Sequence, residues 1–202
     1  MEKDFKEDFI KEVLNIKGKV RTFDFLSNLK FIKKKKGEEG IKKVKDFFRK
    51  LGFSLIEEER KDIFPLSFRF LLFYFLKNSL GFKKEEIEEM GRYSVKKAFL
   101  LKFFSRFFSS PAKFFLEKVP ILWKKYVSIG ELFPEKFDSA NRKATLLLKG
   151  IDIPSKELNE LGIAYLQGVF RGWVEVVTGS EEVSCQGKKV SNEKYKFTIE
   201  WK

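Results

Sequence analysis

With 202 residues, 43% of them hydrophobic and 25 of them Phe, the chain has material for one sizeable core, and disorder is excluded. It contains no His, which removes the usual general base, the commonest metal ligand and the proximal ligand of globin-type heme, so hydrolase, metalloenzyme and histidine-ligated heme readings fall away. The net charge of +13 admits nucleic acid, anionic lipid or an acidic protein as partner, though a Lys-rich surface also serves solubility alone.

Taken in chain order, Asp4 to Ile16 reads as a short amphipathic helix, with Phe5, Phe9, Val13 and Ile16 at helical spacing. Arg21 to Lys34 carries Phe25, Leu26, Leu29 and Ile32 on one face and forms a second helix. Gly37 breaks the pattern, and Glu38 to Leu51 is a third helix capped by Gly52. Phe64-Pro65 opens a helix that runs to Leu80 and stops at Gly81. It is apolar almost all round, which predicts a central, buried position. Glu85 to Phe108 reads as a long helix with a Phe99, Leu100, Phe103, Phe104, Phe107, Phe108 stripe. Ser110 caps a further helix that starts at Pro111 and reaches Tyr126.

From there the period changes. Val127 to Phe133 and Lys143 to Ile151 look like strands. Ser155 starts a helix to about Val177 that ends at Gly179. The tail reads as a hairpin, with Glu182 to Cys185 as one arm and Gln186 to Asn192 as the loop. Tyr195, Phe197, Ile199 and Trp201 alternate with polar residues along the other arm. The expected fold is α+β in a single domain over 1–202. A helical half (1–126) packs on an antiparallel sheet in a strand-strand-helix-strand-strand half (127–202).

Ala164, Gly168 and Gly172 recur every fourth residue on the last helix. Small residues at that spacing admit another backbone closely or leave room for a bound molecule. Cys185 is the one cysteine; it reads either as an inert small hydrophobe or as a thiol open to acylation or a soft ligand. A lone cysteine forms no internal disulfide and fits a reducing cytosol, and the charged N-terminus Met1-Glu2-Lys3-Asp4 does not resemble a secretory leader. The longest apolar run, Phe70 to Leu76, is far below the ~20 residues of a membrane span. Abundant Lys and Glu with few Cys, Met and His point to a thermophilic source. The Lys33 to Lys36 run reads as a solvated helix end, and no nucleic-acid motif accompanies it. No phosphate loop, nucleophile elbow, CxxC pair or HExxH is present.

The stretch Gly162-Ile163-Ala164-Tyr165-Leu166-Gln167-Gly168-Val169-Phe170-Arg171-Gly172, then Cys185, Gly187 and Tyr195 to Trp201, resembles the C-terminal half of 4-vinyl-reductase-type domains. These are similar to the heme-nitric-oxide-binding (H-NOX-like) domains and Golgi transport-complex subunits of one superfamily. Ile16 to Val20, Gly37 to Val44, Phe64-Pro65, Ser110-Pro111, Pro120 and Trp123 resemble the N-terminal pattern of that group. The resemblance implies the fold and an internal pocket between helices and sheet, which in transport-complex relatives takes an acyl chain. It does not carry the chemistry: H-NOX domains hold heme through a His, which is missing here, and their Tyr-Ser-Arg motif is not recognisable. Vinyl-reductase-type domains often have a second Cys in the last strand, where Tyr195 stands.

The leading expectation is a non-enzymatic binding or sensory domain without cofactor or metal, for an apolar small molecule or acyl chain. Phe68, Leu71, Phe75, Phe103, Phe107, Tyr165, Gly168, Val169, Gly172 and Cys185 are the candidate ligand-binding residues. The rival readings are a protein-interaction or homodimerising scaffold and, more weakly, a nucleic-acid-binding protein.

Overall fold

The computed structural model describes residues 7–55, 62–97 and 111–202. Helix α1 (Glu7–Leu14) leads into a short strand β1 (Lys19–Arg21) and the long helix α2 (Thr22–Lys50). Gly37 sits within this span at φ 67°, ψ −165°, a non-helical backbone that parts it into two helices across a kink, as the sequence predicts. Only glycine takes this backbone at no steric cost. A second short strand, β2 (Ile63–Pro65), pairs antiparallel with β1 and delivers the chain to α3 (Leu66–Leu80). This ribbon is not foreseen by the sequence reading, because three-residue strands leave no periodic signal.

Helix α3 is buried as expected, from Leu66 through Phe73 and again at Phe75 and Leu76. Helix α4 (Lys84–Lys97) follows; the predicted continuation to Phe108, its Phe stripe and the Ser110 cap lie outside the described residues. Chain 111–126 is helical, as its sequence predicts, but not uniformly: a single α turn at Pro111–Lys113 widens into a π turn at Phe114–Lys118 before α5 (Val119–Tyr126).

The main sheet has four antiparallel strands in the order β3-β4-β6-β5, namely β3 (Glu131–Asp138), β4 (Lys143–Lys149), β5 (Val183–Ser191) and β6 (Lys194–Trp201). Helix α6 (Lys156–Thr178) crosses from β4 to β5 and covers the inner face, where Tyr195, Phe197 and Ile199 are buried. Ser155 caps α6 by accepting from Leu158 N at 3.0 Å, and Gly179 closes it at φ 72°, both as expected.

Two strand assignments are corrected. The first strand is 131–138 rather than 127–133; Val127 makes only an isolated bridge to Val20. Pro134 and the charged Glu135 and Lys136 sit at a bulge in β3, and an edge strand tolerates both. The second correction is 186–192, expected as a loop: strand β5 runs through it to Ser191, and the turn lies at Asn192 and Glu193, with Glu193 at φ 56°. β5 is the other edge, exposed from Lys188 onward, so its polar composition hid it.

The small-residue stripe of α6 is a helix-packing seam. A Cβ built on Gly168 would lie 1.8 Å from the Glu88 carbonyl oxygen of α4, and one on Gly172 would lie 2.9 Å from Val95 Cβ. Gly91 of α4 answers from the other side, where a Cβ would meet Tyr165 O at 2.1 Å. Backbone meets backbone, and this contact holds α4 and α6 in one relative position. Gly168→Ala should therefore destabilise the protein by ~1–3 kcal/mol, despite the gain in helix propensity, because the colliding atom is main chain. A chemical-denaturation midpoint equal to or above wild type would refute the seam.

Candidate functional site

Arg69 lies mid-way along the first half of α3, among Phe68, Phe70 and Leu71, and its side chain is only 7% exposed. A guanidinium taken out of water needs a counter-charge. Asp24, in the first turn of α2, supplies it through a very short contact with Arg69 Nη2. Tyr165 of α6 donates to the other carboxylate oxygen of Asp24 at 2.9 Å and lies 3.2 Å from Asn28 Oδ1. Ser94 of α4 donates to the same Asn28 Oδ1 at 2.8 Å. The Arg69 guanidinium also stands over the Tyr165 ring, 4.9 Å from its centroid. One polar cluster thus joins α2, α3, α4 and α6 inside an apolar interior.

The electrostatics follow from this geometry. Burial works against the Arg69 charge, but the neighbouring Asp24 carboxylate and Tyr165 hydroxyl together outweigh it and hold the guanidinium above its ordinary value. Burial pushes the Tyr165 hydroxyl up strongly; Arg69 opposes that rise and Asp24 adds to it. Two buried donors of this cluster have no hydrogen-bond partner, Arg69 Nε and Asn28 Nδ2.

Two cavities of about 50 Å³ each flank the cluster. The first is bounded by Asp24, Arg69, Ser94, Tyr165, Val169 and Trp173 among others. The second lies toward the sheet, against Phe70, Phe73, Leu148, Ile163 and Tyr195. Arg69, Trp123, Val127, Tyr165 and Leu166 belong to both walls. Trp123 is held there by its indole N–H, which lies 3.1 Å from the Ile129 carbonyl and 3.2 Å from that of Gly130.

The candidate residues separate on this map. Tyr165 and Val169 line the first cavity, and Tyr165 also the second. Phe68, Leu71 and Phe75 line neither; Phe75 stacks on Phe47 at 4.6 Å and Phe68 meets Phe53 at 4.5 Å, on the far side of α3. An all-round apolar helix has no preferred face in its sequence, and the face turned to the second cavity is Leu66, Arg69, Phe70 and Phe73. Gly168 and Gly172 face α4, away from both cavities. Phe103 and Phe107 lie outside the described residues. Cys185 is buried on β5 and touches neither cavity; burial pushes its thiol up, with Glu88 adding, so it is held protonated. Asp24, Asn28, Arg69 and Ser94 are missed by sequence reasoning. The available signal is Arg69 itself: a charge inside the most apolar helix must be paired.

Similarity to known proteins is confined to the fold. The chain superposes on an Fe(II) unliganded H-NOX protein mutant from K. algicida with a TM-score of 0.60 and 14% identity, over 90% of this chain and 96% of that one. A Cs H-NOX mutant carrying 4-cyano-L-phenylalanine gives 0.56 and 15%, over 90% and 96%. An H-NOX mutant from T. Tengcongensis gives 0.55 and 16%, over 90% and 96%. No family model and no curated protein matches the chain. The chain therefore has the H-NOX-like α+β fold, as its sequence resemblance implies.

That fold raises the question of heme. The described interior does not fit a porphyrin: each cavity is about 50 Å³, against ~300–1,000 Å³ for sites that take drug-sized ligands. The ion pair and Tyr165 fill the space between them, and the sequence offers no imidazole as axial ligand.

Two expectations follow. Asp24→Asn strands the Arg69 charge and should cost ~3–5 kcal/mol in denaturant unfolding, whereas Asp24→Asn with Arg69→Met should recover most of the loss. A double variant no more stable than the single one would show that the pair is not the coupled unit.

Tyr195 donates to Asn159 Oδ1 at 2.5 Å, and burial pushes its hydroxyl up to about 12. Between ~pH 10 and 12 the unfolded chain releases this proton while the folded one keeps it, so stability falls as pH rises through that window and is unaffected below it. The stability advantage of wild type over Tyr195→Phe should narrow from pH 9 to pH 11 in parallel denaturation curves; a constant gap would exclude the linkage.

Proposed function

We propose that the chain is a non-enzymatic ligand-binding or sensory domain that uses the H-NOX fold without heme, and that its ligand is a small apolar molecule held beside Arg69 and Tyr165. The observation that carries this reading is the pair of adjoining apolar-walled cavities meeting at one buried polar cluster. A concave, mostly apolar space with few placed polar groups is the usual form of a small-molecule site. Asp24 is engaged by Arg69 and Tyr165 together, which supports a positioning role over acid–base work.

The space sets the ligand's size. About 50 Å³ corresponds to roughly three to four water-sized spheres, so each cavity suits a short acyl or small cyclic fragment. A longer acyl chain requires the shared wall at Leu166 and Trp123 to part and join the two spaces. Among the described residues no helix is long and apolar enough to cross a membrane.

Cyclopentane is a suitable neutral probe. A saturable rise in unfolding temperature is expected, because a ligand that binds only the folded state stabilises it by mass action. Leu166→Trp, which fills the common wall, should abolish the rise while leaving a cooperative transition. Mixing with hemin and passing through gel filtration should leave protein with no Soret band. An indifferent unfolding temperature would overturn ligand binding, and a stable stoichiometric Soret complex would overturn the heme-free reading.

A further inference from the structure

Strand β1 lies against the C-terminal end of α5. Arg21 Nε donates to the Lys125 carbonyl at 3.1 Å, Lys19 N donates to Ser128 Oγ at 2.8 Å, and Val20 bridges Val127. Val20 is buried, so Lys19 and Arg21 on either side of it both face outward. They stand beside Lys124 and Lys125, which are exposed as well, and exposed Lys17 adjoins them across Gly18. None of these cations makes an ion pair among the described residues, whereas lysines elsewhere are matched, Lys33 by Glu38, Lys43 by Glu39 and Lys84 by Glu160. Asp62, next to Ile63, borders the surface and forms no ion pair either. The last turn of a helix favours cations, which accounts for Lys124 and Lys125 but not for Lys17, Lys19 and Arg21.

Large apolar side chains are exposed among these charges. Ile63 stands opposite Arg21 in the β1–β2 pairing and is 39% exposed. Ile121 is 59% exposed and precedes Lys124 and Lys125 by three and four residues, which puts it on their face of α5. Phe23 follows Arg21 by two residues, is 45% exposed and shares a cavity wall with Tyr126 of α5.

This mixture fits a partner that is anionic at its surface and apolar just beneath. A nucleic acid offers phosphates and flat bases, and the aliphatic Ile63 and Ile121 have no ring to stack on them. An acidic protein supplies carboxylates without an acyl layer. A membrane surface supplies both layers within the reach of a side chain. We propose that this surface docks the protein on an anionic lipid membrane. Lys19, Arg21, Lys124 and Lys125 meet the head-group phosphates, and Ile63 and Ile121 enter the acyl boundary beneath. The contact is peripheral and does not depend on whether the cavities hold a ligand.

The test is flotation of the full chain with phosphatidylcholine vesicles that contain or lack ~30% phosphatidylglycerol. Binding is expected on the anionic vesicles at ~50 mM salt, falling steeply toward ~500 mM, and not on the neutral ones. Lys19→Glu/Lys124→Glu should lower the partition at least ~10-fold. Lys34→Glu/Lys36→Glu, the same charge change placed in the lysine run of α2, should lower it less than ~3-fold. Ile121→Ser should lower it ~3–10-fold. These positions are exposed, so the unfolding temperatures should match wild type.

Equal binding of wild type to both kinds of vesicle, or none to either at low salt, overturns the proposal. Equal losses for the two lysine pairs also overturn it and reduce the attraction to net charge. Wild-type affinity in Ile121→Ser, or displacement by duplex DNA at a lower phosphate concentration than the lipid's, makes the face a polyanion site and overturns the lipid assignment.

Discussion

The ion pair between Arg69 and Asp24 is the constraint around which the interior is arranged. A guanidinium in the middle of α3 can be buried only if a carboxylate meets it, and the carboxylate comes from the start of α2, 45 residues earlier in the chain. Once Asp24 is there, its second oxygen is buried too and needs a donor, which arrives from α6 as the Tyr165 hydroxyl. Each partner settled in this way fixes the rotation of the helix that carries it. Removing one member leaves the others as uncompensated polar groups in an apolar surround, so the cluster behaves as a unit.

A second constraint works in the opposite manner. Where α4 and α6 meet, the sequence withdraws side chains altogether, and Gly91, Gly168 and Gly172 let the two backbones touch. That contact sets the distance between the helices, and Ser94 and Tyr165, one from each, are brought to 3.5 Å as a result. Charged residues at the edge of the same interface, Glu88 with Arg171 and Glu175 with Arg92, tie the pair outside the seam. The cavities arise because the large rings around the cluster, Trp123, Phe70 and Phe73, are positioned by other demands and do not fill the space beside Arg69 completely.

The H-NOX-like fold and the chemistry of this interior are thus separable. The fold supplies a sheet, a covering helix and a helical layer that enclose a space. In this chain an arginine, an aspartate and a tyrosine bonded to one another lie between those elements, and a shared fold does not carry the chemistry of a site.

Local features were legible wherever one residue type has one physical meaning. The Ser155 cap, the closures at Gly81 and Gly179, the break at Gly37 and the alternation of Tyr195, Phe197 and Ile199 were all readable because each reflects the backbone or the period of its own segment. The edge strands were not, since Pro134 and the lysines of β5 are allowed only by the absence of a neighbour on one side. Of the candidate residues, Tyr165 and Val169 line a cavity, whereas Phe68, Leu71 and Phe75 line neither, because a helix apolar all round does not show in its sequence which face meets the space. By itself the sequence determined the α+β order, the burial of α3 and the lack of any imidazole. Only the tertiary structure decided which face of α3 meets the cavities and that Asp24 pairs with Arg69, because those facts depend on residues far apart in the chain meeting in space.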